Sequence, residues 1–134
     1  MAAATRKRLR ENKFQSALEY LSEYRGVKGA AILDDEGLVV ARIGRKEFEA
    51  DLVSPLIHLI LIQTNLVLNR LNVDAAQAIT IRTKTSRITI TRVEGLILCV
   101  FAESGTDQLL KVRIGQAVDM IRTHLSNSYA LAKS

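Results

Sequence analysis

The sequence predicts an α/β fold of the α+β sandwich kind. Its elements run α-β-β-α-β-β-β-α, with a five-stranded antiparallel sheet carrying two helices on one face and a long central helix on the other. Three observations carry this. Residues 27–44, VKGAAILDDEGLVVARIG, hold two strand-like runs joined by an acidic turn. Both runs are apolar on adjacent as well as alternate positions, so they are covered on both faces. Residues 77–102 hold two strands of alternating character followed by LILCVFA, apolar throughout. The first two therefore lie toward an edge of the sheet and the third in its middle. Residues 48–71, FEADLVSPLIHLILIQTNLVLNRL, form a helix with two apolar stripes, and two stripes need two surfaces to cover them.

The 134 residues are read as a single domain, 1–134, with a core from about residue 9 to 126. The basic N-terminal arm (1–8) and the C-terminal tail (127–134) are expected to be mobile. Hydrophobic residues at 48% and charged residues at 25% exclude disorder as the default. The one cysteine, Cys99, cannot form a disulfide within the chain. With no signal-peptide pattern after MAAATRKRLREN, the expected location is cytoplasmic. The longest uninterrupted apolar run of the central helix, Leu59 to Ile62, falls well short of the roughly 20 residues that span a bilayer.

Taken in order, the first helix spans residues 6–25, with Phe14, Ala17, Leu18, Leu21 and Tyr24 in one stripe. Gly26 is placed to end it in the left-handed conformation. The 27–44 hairpin turns at Asp34-Asp35-Glu36-Gly37, where the glycine supplies a positive φ. The central helix starts at about residue 50 or 55 and ends at 71. Ser54 is a candidate cap, Pro55 fits a first turn, and Asn72 is a stop. On a wheel of about 100° per residue, Leu56, Val67, Ile60, Leu71, Ile57, Leu68 and Leu61 fill one arc. Ile62, Leu66 and Leu59 form a second stripe. His58, Asn65 and Asn69 lie on one polar strip between them, and Gln63 and Arg70 on the other. Strands AITIRTK and RITITRV follow, turning at Thr85-Ser86, and Val93-Glu94-Gly95 turns into the buried strand. The last helix covers about 107–126, capped by Thr106 or Asp107, with Leu110, Ile114, Ala117, Val118, Ile121 and Leu125 inside. Gly115 within it is explained by close packing on the sheet.

No motif carries catalysis. There is no GxxxxGKS phosphate loop and no GxGxxG after a strand, so the chain is read as a non-enzyme with no cofactor and no metal. Cys99 and His58 are the only nucleophile–base candidates. A cysteine in a buried strand is a core residue before it is a nucleophile. His58 reads as an interface residue and His124 as a surface residue near a helix end. Asp34, Asp35 and Glu36 lack the alternating ligands of a calcium loop and read as a solvated turn. The net charge of +5 concentrates in Arg6–Lys13 and in Arg82, Lys84, Arg87 and Arg92. No aromatic lies between residues 49 and 100 to stack on bases, so nucleic acid is a minor reading.

The element order and lengths resemble the Roadblock family over roughly residues 9–126. The features that carry the resemblance are GVKGAAILDDEGLVVAR, with Gly29, Asp34 and Gly37 at the pattern's positions, the long apolar middle helix, and GLILCVFAESGTDQLLKVRIGQAVDMI. The resemblance implies a homodimer, or a heterodimer with a second Roadblock chain, in which middle helices pack side by side and edge strands pair. Carried onto this chain, the pairing edge is the strand from Ala78 through Thr80 and Arg82 to Lys84. The helix is expected to face the sheet with Leu56, Ile60, Val67 and Leu71, and to face a partner with His58, Leu61, Asn65, Leu68 and Asn69. The resemblance further implies a non-catalytic dimeric regulator or scaffold that binds a small Ras-like GTPase, acting through conformation because no arginine finger is evident. An adaptor of the dynein-light-chain kind is the alternative, followed by a basic nucleic-acid or membrane-surface module.

Overall fold

A computed structural model describes residues 13–45, 48–105 and 107–133, with the side chains of 107 and 128–133 not among those described. Helix α1 covers residues 13–22 within that range. It is followed by β1 (Val27–Asp34), β2 (Val39–Gly44), α2 (Ala50–Arg70), β3 (Ala78–Arg82), β4 (Ser86–Val93), β5 (Leu96–Glu103) and α3 (Asp107–Lys133). The five strands form one antiparallel sheet in the order β2-β1-β5-β4-β3. The fully apolar strand β5 is central and the half-polar β3 is an edge, as their patterns require.

The sheet's two faces are read directly from the period of two. Ala30 and Ile32 of β1 and Leu98, Val100 and Ala102 of β5 point to α1 and α3. They meet Phe14, Ala17, Leu18 and Leu21 from α1 and Leu110, Ile114, Ala117, Val118 and Ile121 from α3. Ala31, Leu33, Ile97 and Cys99 point the other way, to α2. The predicted sandwich, with two helices on one face and the long helix on the other, is the fold observed.

Several local expectations change. Helix α2 begins at Ala50 with Glu49 as its uncapped N-cap, so Ser54 does not cap it and Pro55 lies inside it. Of the two starts open in the sequence, 50 and 55, the helix takes the first, with the small, buried Ala50 and Ser54 in line with Ile57 and Leu61 against the sheet. Its C-terminus closes as foreseen. Asn72, at φ 58, donates its N–H to the Asn69 carbonyl and Val73 donates to Leu68, the paired bonds of a Schellman ending. Gly26 takes no left-handed conformation, and at the β4–β5 turn it is Glu94 (φ 56), not Gly95, that does. Helix α3 runs on to Lys133, well past the predicted end near 126 and through most of the tail expected to be mobile. That tail contains good helix formers, Ala130, Leu131, Ala132 and Lys133. His124 is therefore not at a helix end. It is buried, with its ring edge-to-face on Phe14 at 4.9 Å between centroids. Gly115 is not packed on the sheet either, since a Cβ there would meet nothing within 4 Å among the described residues. The basic arm, the first residues of the predicted first helix and the Thr106 cap lie outside the described residues.

Phe48 explains two glycines. Gly29 and Gly44 are cross-strand partners in β1 and β2, and a Cβ on either would come within 2.4–3.0 Å of the Phe48 side chain. The ring therefore lies on bare backbone, with the ring of Phe101, the β5 partner of Gly29, at 5.2 Å between centroids. This seat fixes the entry of the chain into α2 and hence the rotation of that helix.

Candidate functional site

The rotation of α2 decides which stripe is left outside. Its buried residues are Ala50, Ser54, Ile57 and Leu61. Seven large apolar side chains at and beside the same helix, Leu52, Leu56, Leu59, Ile62, Leu66, Val67 and Leu71, remain 47–67% exposed. On the helical wheel they occupy about half the circumference, opposite the buried stripe. Within this face Leu52, Leu56, Leu59, Gln63, Leu66 and Arg70 follow spacings of four, three, four, three and four residues. Such a seam packs along a second helix, and a polar residue within it fixes the register.

The predicted face assignment is therefore corrected. Leu56, Val67 and Leu71, expected on the sheet, are exposed, while Leu61, expected to face a partner, is buried at 4%. The helix is turned by roughly one residue, about 100°. The polar strip beside the inner stripe serves the fold itself. The His58 Nε2 lies 3.2 Å from the Asp35 carbonyl, and its ring occupies the space a Gly37 side chain would need. Asn65 accepts the Ala76 N–H through its Oδ1 at 2.9 Å, tying down the loop after α2. Leu68 is half-buried and Asn69 exposed. Two leucine-rich stripes look alike in a sequence, and the apolar count favoured the wrong one. The usable signal was the alignment of Ala50 and Ser54, whose small size permits close approach to a sheet.

The edge-strand residues lie where the pattern put them. Ala78, Thr80 and Arg82 are on edge strand β3, with Ala78, Thr80 and Arg82 all exposed, and Lys84 is exposed just beyond it. Ile79 and Ile81 turn toward the α2 face and are only half-buried. One side of the molecule thus presents an apolar helix face, and one rim of the sheet presents unpaired strand backbone.

The reactive side chains are accounted for by the fold. Cys99 is buried, and burial pushes its thiol from 9.0 up to about 12, so it carries no thiolate near neutrality. Asp34 organises the turn, its Oδ1 accepting the N–H groups of Glu36 and Leu38 at 2.9 Å each. Gly37 supplies the positive φ of 88°. Among the described residues no group of three His, Cys, Asp or Glu could hold a metal ion. Helix α2 is long and apolar enough to cross a membrane by length and composition alone; here its inner stripe is packed on the sheet.

A three-layer α/β/α domain with a solvent-facing apolar helix is the class these features define. The chain belongs to the Roadblock/LC7 domain family, whose profile matches residues 13–102. Among solved structures it is similar to Myxococcus xanthus MglB, at 14% identity and a TM-score of 0.79, covering 87% of this chain and 90% of that one. It is also similar to the gliding protein MglB from Thermus thermophilus, at 15% identity and a TM-score of 0.75, covering 88% and 92%. A Roadblock/LC7 domain from Streptomyces avermitilis matches at 16% identity and a TM-score of 0.74, covering 84% and 97%. At these identities the similarity establishes the fold. No curated protein sequence matches significantly.

Proposed function

We propose that this chain is a non-catalytic, cytoplasmic Roadblock domain that dimerises through α2 and β3 and that the dimer binds and regulates a small Ras-like GTPase. The observation that carries it is the outer face of α2, with six large apolar side chains exposed along a 21-residue helix that buries only four residues in its own chain, and Leu71 exposed at its C-cap. Apolar surface of that extent is found where another polypeptide covers it. A helix pair and a strand pair together reach the roughly 1,200 Å² that a specific dimer buries. Continuing the sheet through β3 also removes the exposed edge. The Roadblock family implies the GTPase partner and a regulatory rather than enzymatic role. Family membership supports this reading, as does the burial that keeps the Cys99 thiol from acting as a nucleophile.

The test is a pull-down from source-cell lysate with this protein as bait, in GTP analogue and in GDP, with Leu59→Asp/Leu66→Asp as the control bait. A small GTPase retained in one nucleotide state by the native chain, and lost with the variant, is the expected result. Motor subunits retained without regard to nucleotide would replace the regulator with an adaptor.

A further inference from the structure

A cavity of about 300 Å³ opens beneath the flank of α2, between the helix, the β1–β2 turn and the β4–β5 turn. Its floor is apolar: Leu61 and Ile97 are buried and Leu96 is half-buried. Polar groups stand around that floor. Asn65 has its Oδ1 committed to the Ala76 N–H, which leaves its Nδ2 donors without a partner among the described residues. Arg92 alternates with Ile90 along β4 and so points to the α2 face. Its guanidinium makes no ion pair among the described residues. The same holds for the carboxylate of Asp35, whose backbone carbonyl already holds the His58 ring. Gly95 lines the mouth, where an added Cβ would meet nothing within 4 Å. The positive φ of that turn belongs to Glu94, so the turn itself does not require the glycine, and its missing side chain leaves the mouth clear.

We infer that this cavity binds a free α-amino acid with an apolar side chain. Charge selects the ligand. Among the described residues one guanidinium and one carboxylate line the cavity, so a dianion such as phosphate is opposed by Asp35 and a simple cation by Arg92. A zwitterion satisfies both. Its carboxylate accepts from Arg92, whose planar guanidinium suits two-pronged pairing, and from the Asn65 Nδ2. Its ammonium donates to the Asp35 carboxylate. The apolar side chain then lies on Leu61, Leu96 and Ile97, where it leaves water. The cavity stands at the lower end of the roughly 300–1,000 Å³ of small-molecule pockets, a volume for one small molecule. Its wall is also held in place beforehand, with His58 fixed by the Asp35 carbonyl and Asn65 by the Ala76 N–H, so little order has to be created on binding. The site takes nothing from β3 and shares only Ile62, at its rim, with the exposed face of α2. It does not depend on the dimer or on a GTPase.

The test titrates L-leucine into the intact ¹⁵N-labelled protein and follows the side-chain amide of Asn65 and the backbone N–H of Gly95 by NMR. L-leucinamide, which lacks the carboxylate, and N-acetyl-L-leucine, which lacks the ammonium, are the comparison probes. Arg92→Gln and Asp35→Asn each remove one charge at an exposed position. Circular dichroism checks that each variant keeps its helices, and if one loses them the other decides alone. The expected result is saturable leucine binding with a Kd of about 1 mM or below, with both signals shifting together. Each comparison probe, and each folded variant, should bind about tenfold more weakly or worse, the loss of one charged hydrogen bond. Absence of saturable shifts at millimolar leucine, or binding that a folded variant leaves unchanged, overturns the proposal. N-acetyl-L-leucine binding as tightly as leucine overturns it in favour of a site for a simple carboxylate, and L-leucinamide doing so overturns it in favour of a site for an amine.

Discussion

Replacing Leu59 and Leu66 by aspartate should separate the dimer without unfolding the chain. The two leucines are 51% and 47% exposed in the single chain. Burying a leucine side chain completely is worth about 1.5–3 kcal/mol, so covering the remaining half is worth about 1 kcal/mol. A two-fold axis places both leucines on both helices, four side chains in all. The loss is then about 4 kcal/mol before any cost of burying carboxylates, and 4 kcal/mol is about a thousandfold in Kd. Inside the monomer the same substitutions act at solvent-facing positions, where changes stay within about 0.5 kcal/mol. Sedimentation equilibrium should therefore show the native chain as a dimer and the double variant as a monomer, with matching urea midpoints extrapolated to the monomer. Leu61→Asp is the contrasting control. That side chain is 4% exposed on the inner stripe, and a carboxylate there should prevent folding. A double variant that dimerises with native affinity would refute the assignment of the outer face. A soluble, folded Leu61→Asp would refute the rotation of the helix.

Gly29→Ala should destabilise the fold by about 1–3 kcal/mol, because its Cβ would stand 2.4 Å from the Phe48 ring. Phe48→Leu should remove most of that coupling in a double-mutant cycle read by urea denaturation. Glu94→Gly should raise stability by about 1 kcal/mol by relieving a non-glycine residue at φ 56, seen as a Tm increase of a few degrees; a fall in Tm would count against the turn geometry. Cys99 makes stability fall with alkaline pH. Its folded thiol titrates at about 12 against 9.0 for an ordinary thiol, so between those values the unfolded chain has released a proton that the folded chain retains. The slope is about 1.4 kcal/mol per pH unit, the loss beginning as pH rises through 9.0. It should appear as the difference between urea titrations of the native chain and Cys99→Ala, and parallel curves would refute it.

Most of the fold was legible because its signals are local and redundant. The alternation in RITITRV, the unbroken apolar run of LILCVFA and the DDEG turn each specify an element, and together they specify the sheet order's centre and one edge. The misreadings share a cause: each position depended on a contact distant in sequence. Ser54-Pro55 has the local chemistry of a helix start and kept 50 and 55 both open; the helix begins at Ala50, where Phe48 enters α2 from its seat over Gly29 and Gly44. His124 reads as terminal when the last helix is ended near 126, while α3 continues to Lys133 and the ring packs on Phe14. The face of α2 was the hardest case for a deeper reason. Within one chain, hydrophobicity reports that a surface is covered, and it does not report by whom. Leu56, Leu59 and Leu66 are as apolar as Ile57 and Leu61, so ranking stripes by apolar content cannot tell a core from an interface. Size can: a helix approaches its own sheet through Ala50 and Ser54, whereas the outer seam is filled with leucines and interrupted by Gln63 at its centre. A polar residue on such a seam costs stability and sets register, which is of use only if another helix lies against it.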